Sequence, residues 1–388
     1  MSETDTSIFE EPKHVRVLRR LRLIKPEHRA QAIRRVILAV GIAWVPPAVL
    51  CLLRWLVTRD DTALNFFVDV AAYARFALAV PILILSEYII LPMLDATGRH
   101  FVTSKIIDPG DSARFEEAVA STRRLSLGVW PSATMTIIVY AAMAVIAVTI
   151  RPDALPVWHR SNGPLHLSLA GWWHLLVSVP LLMGLLLAWI WRVGVWARFL
   201  HCVSRMNLHL IASHPDKAAG LQFVSFSPRL FAPLAFAIGV ITAGTFANEV
   251  LHLGINPTEH AGVPIGTAIV VVAIFICPPL VFARPLLMAW RRGVFEYGGL
   301  ASRLGHQFED KWLDPQSKVD TGSLAEPDFS STTDLYSVVA NVYSMRPVLF
   351  DPRSAIALAI ATLVPFGPIW LTVIPAKTLL SQLLKLVI

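Results

Sequence analysis

The chain has 388 residues, of which 55% are hydrophobic and 16% charged, and its mean hydropathy is +0.58. A soluble domain carries about 25% charged residues, so composition excludes an ordinary soluble globular protein. The net charge of +7 does not collect into one patch, which argues against nucleic acid as a partner.

Residues 1–12 are polar and acidic, and a basic stretch runs from Lys13 to Arg35. Together they read as a cytoplasmic segment, 1–35, that is retained on that side and contacts anionic lipids. The first apolar run, 36–57, is too long for the core of a signal peptide and lacks a small-residue cleavage site, so no cleavable leader is expected. A spanning helix needs about 20 mostly apolar residues. The runs at 36–57, 70–94, 129–150, 169–192, 230–251 and 264–290 meet that length. Between the second and third runs, Asp108-Pro-Gly-Asp-Ser leads into a cytoplasmic helix near 111–127, with Asp111 or Ser112 as its N-cap. The fourth run is expected to continue as helix over 193–213, and the sixth over 291–313. A linker near 314–332 and a short helix at 333–345 follow.

The last run, 354–375, is interrupted by Pro365 and Pro368. It reads as one kinked span followed by an interfacial helix carrying Leu379, Leu380, Leu383, Leu384 and Val387. A hairpin with 369–388 as its second arm is the alternative. No run alternates apolar and polar residues, which excludes barrel strands. The expected fold is therefore all-α. It is a polytopic transmembrane helical bundle of about seven spans, three hairpins plus a C-terminal span, with cytoplasmic helical extensions, forming one transmembrane domain over 36–388.

Orientation follows from basic residues. Most of the 34 lysines and arginines precede the first run or fall in the second, fourth and sixth connections. The other side has Arg59, Arg151 and Arg160, none in the fifth connection, and Lys377 and Lys385 in the tail. The positive-inside rule then places the N-terminus in the cytoplasm.

Ionisable groups within spans are costly unless paired or hydrated, so they are the first functional candidates. Glu87 and Arg284 lie at similar depth and are expected to form a buried ion pair. Arg75 and Glu249 share the layer near the opposite face. Such charges serve either as gates on a solute path or as clasps between helices. Prolines at 46, 47, 81, 180, 278, 279, 365 and 368 add the kinks that transporters use at binding sites. They are also common in membrane helices generally.

Outside-facing segments hold His159, His166, His174, His252 and His260, with Glu249 and Glu259. Glu249 and His252 stand one turn apart, as in carboxylate–histidine metal sites, but no second such pair exists. Neither a metal nor a cofactor is expected. Cys51, Cys202 and Cys277 have no metal or redox spacing. His306-Gln-Phe-Glu-Asp310 lacks a nearby nucleophile, and no nucleotide or metalloprotease motif occurs. An enzyme is thus the weaker reading.

The most distinctive connection is His214-Pro-Asp-Lys-Ala-Ala-Gly-Leu221. Pro215 ends the preceding helix and Asp216 can cap the next turn. The string reads as a structured turn, or as a ligand or proton site built on His214, Asp216, Lys217 and Gly220. Here the chain resembles a family of uncharacterised bacterial polytopic membrane proteins with a His-Pro-Asp-Lys/Arg-Ala-Gly-Gly-Leu motif between spans. Ala219 stands where that family has the first glycine of its pair. The segment from Arg75 to Glu87, Phe308-Glu-Asp-Lys-Trp312, and Tyr343-Ser-Met-Arg346 leading to Phe350 are similar too, so the likeness covers most of 35–388. It implies a multi-pass protein of the bacterial cytoplasmic membrane and favours Arg75 and Glu87 over the histidines. It brings no activity.

Two functions remain open. A transporter or channel for a small solute or ion needs polar residues converging on a water-lined path. A scaffold, sensor or assembly partner needs a solid bundle with its distinctive groups on the cytoplasmic face, and takes a second copy or another membrane protein as partner. An enzyme acting on lipid comes third.

Overall fold

The computed structural model describes residues 28–149, 156–161, 167–313 and 328–373. Most of the basic N-terminal segment, His166, much of the 314–332 linker and the 374–388 tail, with the hairpin alternative, lie outside the described residues. The fold is an all-α membrane bundle. Among the described residues six helices are long and apolar enough to cross a membrane, or seven when one bent pair counts as a single span. Strand pairing among the described residues is confined to two isolated bridges, Ile107 with Leu208 and Arg160 with Leu167.

Helix α1 (His28–Thr58) carries Pro46 and Pro47 without breaking. Helix α2 (Val70–Thr103) contains a π-helical turn at Tyr73–Ala79. Then come α3 (Ser112–Leu127) and α4 (Val129–Thr149). Helix α5 (Leu169–Ser204) has its own π-helical turn at His174–Ser178. Next are α6 (Ala232–Leu253), α7 (Gly262–Ile276), α8 (Ala283–Trp312), α9 (Asp328–Tyr343) and α10 (Pro352–Leu363). Helix α10 tightens at Val364–Phe366 and continues as α11 (Gly367–Val373).

Helix α6 is the centre of the packing. It crosses α2 and α10 so closely that a Cβ at Gly244 would overlap Ala74, and one at Gly239 would overlap the Thr362 carbonyl. Small residues at such crossings let membrane helices gain dispersion contacts that lipid cannot offer. Helix α4, by contrast, packs against α5 and leaves Ile137, Val145 and Val148 exposed. Such a helix faces lipid.

Two details correct the expectations. The fourth span stops at Ser204 instead of running to 213. The chain beyond it turns extended to pair with the α2–α3 connection, where His209 N donates to the Ile106 carbonyl. Asp111 does not cap α3 with its side chain; its carboxylate accepts the Asn207 amide at 2.7 Å. The kink expected from its prolines is present in the sixth run, which is bent by 42° between α7 and α8. The bend falls at Pro278-Pro279, where two successive backbone donors are missing. Pro365 only tightens the last span into a 3-10 turn.

Candidate functional site

At the end of the bundle where α1 finishes lies a cavity of about 720 Å³. Its wall is built from α2, α4, α5, α6 and the short segment 156–161. That segment folds back over the start of α5. Ser168 N donates to the His159 carbonyl at 2.7 Å, and Ser168 Oγ donates to the Trp158 carbonyl at 3.0 Å. Arg54 Nη1 donates to the Arg160 carbonyl at 2.7 Å. Gly171 makes the approach feasible, since a Cβ there would lie 2.8 Å from the His159 carbonyl oxygen. Asp69 closes the corner: one carboxylate oxygen caps the Ala72 amide and the other accepts the Trp158 indole N–H at 2.9 Å.

The interior groups are Arg75, His159, His174, Thr245 and Asn248, beside Asp69. Arg75 and His174 each sit in a π-helical turn. Such turns add a residue to the helix and are frequent at functional sites. Arg75 donates from Nη2 to Thr245 Oγ1 at 2.9 Å and forms no ion pair among the described residues. His159 and His174 are 6% and 7% exposed, with ring centroids 4.7 Å apart. Nε2 of His159, Nδ1 of His174 and Oδ1 of Asn248 are buried without a hydrogen-bond partner. Burial, and secondarily the Arg75 charge, push the His159 imidazole down to about 3, so this ring is neutral at ordinary pH. Glu249, His252 and Asn65 are exposed cavity residues.

Arg75 and Glu249 thus border one cavity, as their shared layer suggested, though as separate groups and not an ion pair. Among the described residues no cluster of three or more histidine, cysteine or acidic side chains could hold a metal.

Glu87 belongs elsewhere, and the expected partner is corrected. Its carboxylate accepts Arg35 Nη1 of α1 at 2.7 Å and Arg192 Nη2 of α5 at 2.8 Å. Arg284 stands exposed near the start of α8. Matching depth along two helices says nothing of azimuth. Arg35 also donates to Tyr88 Oη at 3.2 Å, and Arg192 lies over the Trp189 ring at 5.0 Å. The cluster binds α1, α2 and α5 with side chains 6–13% exposed. It is a clasp between helices.

The His214 string is a turn that satisfies itself. Asp216 accepts the amides of Ala218, Gly220 and Gln222 and pairs with His214 Nδ1 at 2.8 Å. Burial opposes ionisation of Asp216, but these amides outweigh it and hold its carboxyl below the usual range. Lys217, Ala219 and Gly220 all have positive φ. The Lys217 carbonyl accepts Arg346 N at 2.7 Å.

Sequence reasoning had the histidines and Arg75 in view but missed Asp69, Thr245 and Asn248. Their signal, polar residues near span ends, is too common to single out. The chain matches no protein-family model, no curated protein and no solved structure, so what the cavity takes has to be read from its own chemistry.

Proposed function

We propose that this protein is a transporter for a small polar solute in a bacterial cytoplasmic membrane, with its N-terminus inside and its basic first segment against anionic lipid. The distribution of lysine and arginine supports that orientation, which opens the cavity to the periplasmic side. Membership of the bacterial family it resembles belongs to the same proposal.

One observation carries the reading. A guanidinium lines a cavity within the bundle, and three of the other lining residues carry buried polar atoms without partners. Unsatisfied polar groups in a membrane protein are costly and mark ligand or ion paths. The cavity volume also falls within the range of small-molecule sites. The Glu87 cluster lies midway along α2, where it holds α1, α2 and α5 together.

Solutes that stabilise the purified full-length chain in detergent are the ones to offer, labelled, to proteoliposomes. Saturable uptake that is lost in Arg75→Gln supports the proposal. Binding without uptake turns the reading to a sensor. That second reading is favoured by the hairpin of α8 and α9, where Phe308 and Phe329 pack edge to face at 5.0 Å beyond the bundle.

A further inference from the structure

We infer that the cavity at the α1 C-terminal end recognises a small carboxylate carrying a hydrogen-bond donor, a hydroxy-acid anion or an amino-acid zwitterion, with the carboxylate on Arg75. This rests on the cavity being a ligand site, but not on the protein moving the ligand.

A guanidinium has five N–H donors, and among the described residues the only bond Arg75 makes is to Thr245. The nearest acid, Asp69, does not form an ion pair with it, and both Asp69 oxygens already accept from Ala72 N and Trp158 Nε1. Arg75 therefore presents a largely unused planar fork inside a cavity. A carboxylate matches that fork with two parallel charge-assisted bonds.

The charge balance selects among oxyanions. The wall carries two guanidiniums, Arg75 and Arg160, and two carboxylates, Asp69 and Glu249, so added negative charge is poorly compensated. A phosphate, at about −1.5 to −2 near neutral pH, therefore costs more than a singly charged carboxylate. The orphaned atoms select further. Asn248 Oδ1 is an acceptor, and each orphaned imidazole nitrogen accepts or donates according to its tautomer. A ligand that also donates satisfies the Asn248 oxygen, whereas plain acetate or a phosphate dianion does not. A cationic solute is disfavoured by Arg75 itself, and a neutral polyol leaves the guanidinium unpaired.

The test uses the full-length protein in detergent, with thermal shift and calorimetric titration. The probes are lactate, glycine, acetate, inorganic phosphate and glycerol. Lactate or glycine is expected to bind and to raise Tm, with acetate weaker by about tenfold or more, since a lost partner for a buried polar group costs that much. Arg75→Gln is expected to weaken that binding by about tenfold or more, and Arg75→Lys to restore part of it.

Arg75→Met separates recognition from folding. A guanidinium kept for a ligand destabilises the empty protein, so this variant is expected to hold or raise the unliganded Tm while losing the shift with lactate or glycine. A marked fall in Tm makes Arg75 structural and overturns the inference. Phosphate or glycerol binding as well as the carboxylates, or no carboxylate binding by a folded wild type, also overturns it. Carboxylate binding without uptake into proteoliposomes retires the transporter reading alone. Uptake of glycerol that survives Arg75→Gln retires the carboxylate site alone.

Discussion

Arg192, on α5, donates from Nη2 to Oε1 of Glu87, on α2, at 2.8 Å, and so joins two helices whose sequences are about a hundred residues apart. Arg35 holds the other carboxylate oxygen, so one acid answers two bases. Removing one member of a buried ion cluster leaves the others uncompensated and costs about 3–5 kcal/mol. Glu87→Gln is therefore expected to lower stability by an amount of that order, measured as loss of folded protein on heating in detergent. Glu87→Arg combined with Arg192→Glu should recover part of what Glu87→Arg loses. The same exchange with Arg284→Glu should recover nothing, because Arg284 is exposed near the start of α8. Recovery with Arg284 alone would mean that the pairing is misassigned.

The turn after α5 depends on a single carboxylate. Asp216 accepts three backbone amides at 2.9–3.2 Å. With Asp216→Ala they lose their acceptor within a partly buried loop, at about 1–3 kcal/mol. Ala219 tests the same turn in the other direction. Its φ of +54 is a left-handed conformation that costs an L-residue about 1–2 kcal/mol. Glycine removes that cost but gains freedom in the unfolded chain. Ala219→Gly is expected to stabilise by up to about 1 kcal/mol, and a drop in Tm would show that the Ala219 methyl, almost fully buried, matters more than the backbone.

Acid should loosen the cavity through His159. Its imidazole is held at about 3 in the fold, against an ordinary 6.5. Between those values the unfolded chain binds the proton and the folded chain does not. Stability therefore falls as pH drops from 6.5 towards 3, and is fully present only above 6.5. His159→Phe lacks this group, so its Tm should decline less than that of the wild type between pH 8 and pH 5. Parallel declines would mean that water reaches the ring.

How far the sequence foretold this molecule differs between spans and sites. The spans follow from length and hydropathy because a bilayer of fixed thickness demands about 20 apolar residues, whatever the neighbours are. Which helices adjoin is another matter. Glu87 was recognisable as a buried acid in need of a base, but Arg192 looked like the basic end of a span and Arg35 like part of a cytoplasmic segment. Neither stands out in the sequence as a buried partner, whereas Arg284 falls inside a run. The cavity was legible only as scattered histidines near one face. His159 and His174 converge because residues 156–161 fold back onto α5, and that return rests on contacts between segments, not on any pattern within one. The bend at Pro278-Pro279 and the intact passage through Pro46-Pro47 make the same point, since identical dipeptides are accommodated differently by their surroundings.

Gly171 is where that return can be tested. Its missing side chain admits the His159 carbonyl, and the neighbouring Gly171 N–H donates to Ser168 Oγ at 3.0 Å. A β-branched residue would force the 157–159 turn away from α5. Overpacking of this kind costs about 1–3 kcal/mol. It also carries His159 away from His174 and Arg75, since the turn and the helix supply opposite sides of the cavity. Gly171→Val is thus expected to lower Tm moderately and to weaken cavity ligands at the same time. Gly184→Val, on the same helix where an added Cβ meets open space, should leave ligand affinity unchanged. If Gly171→Val lowers Tm while ligands bind as before, the 156–161 segment covers the cavity without shaping it. A parallel loss of both would tie recognition to the one close approach that holds segment and helix together.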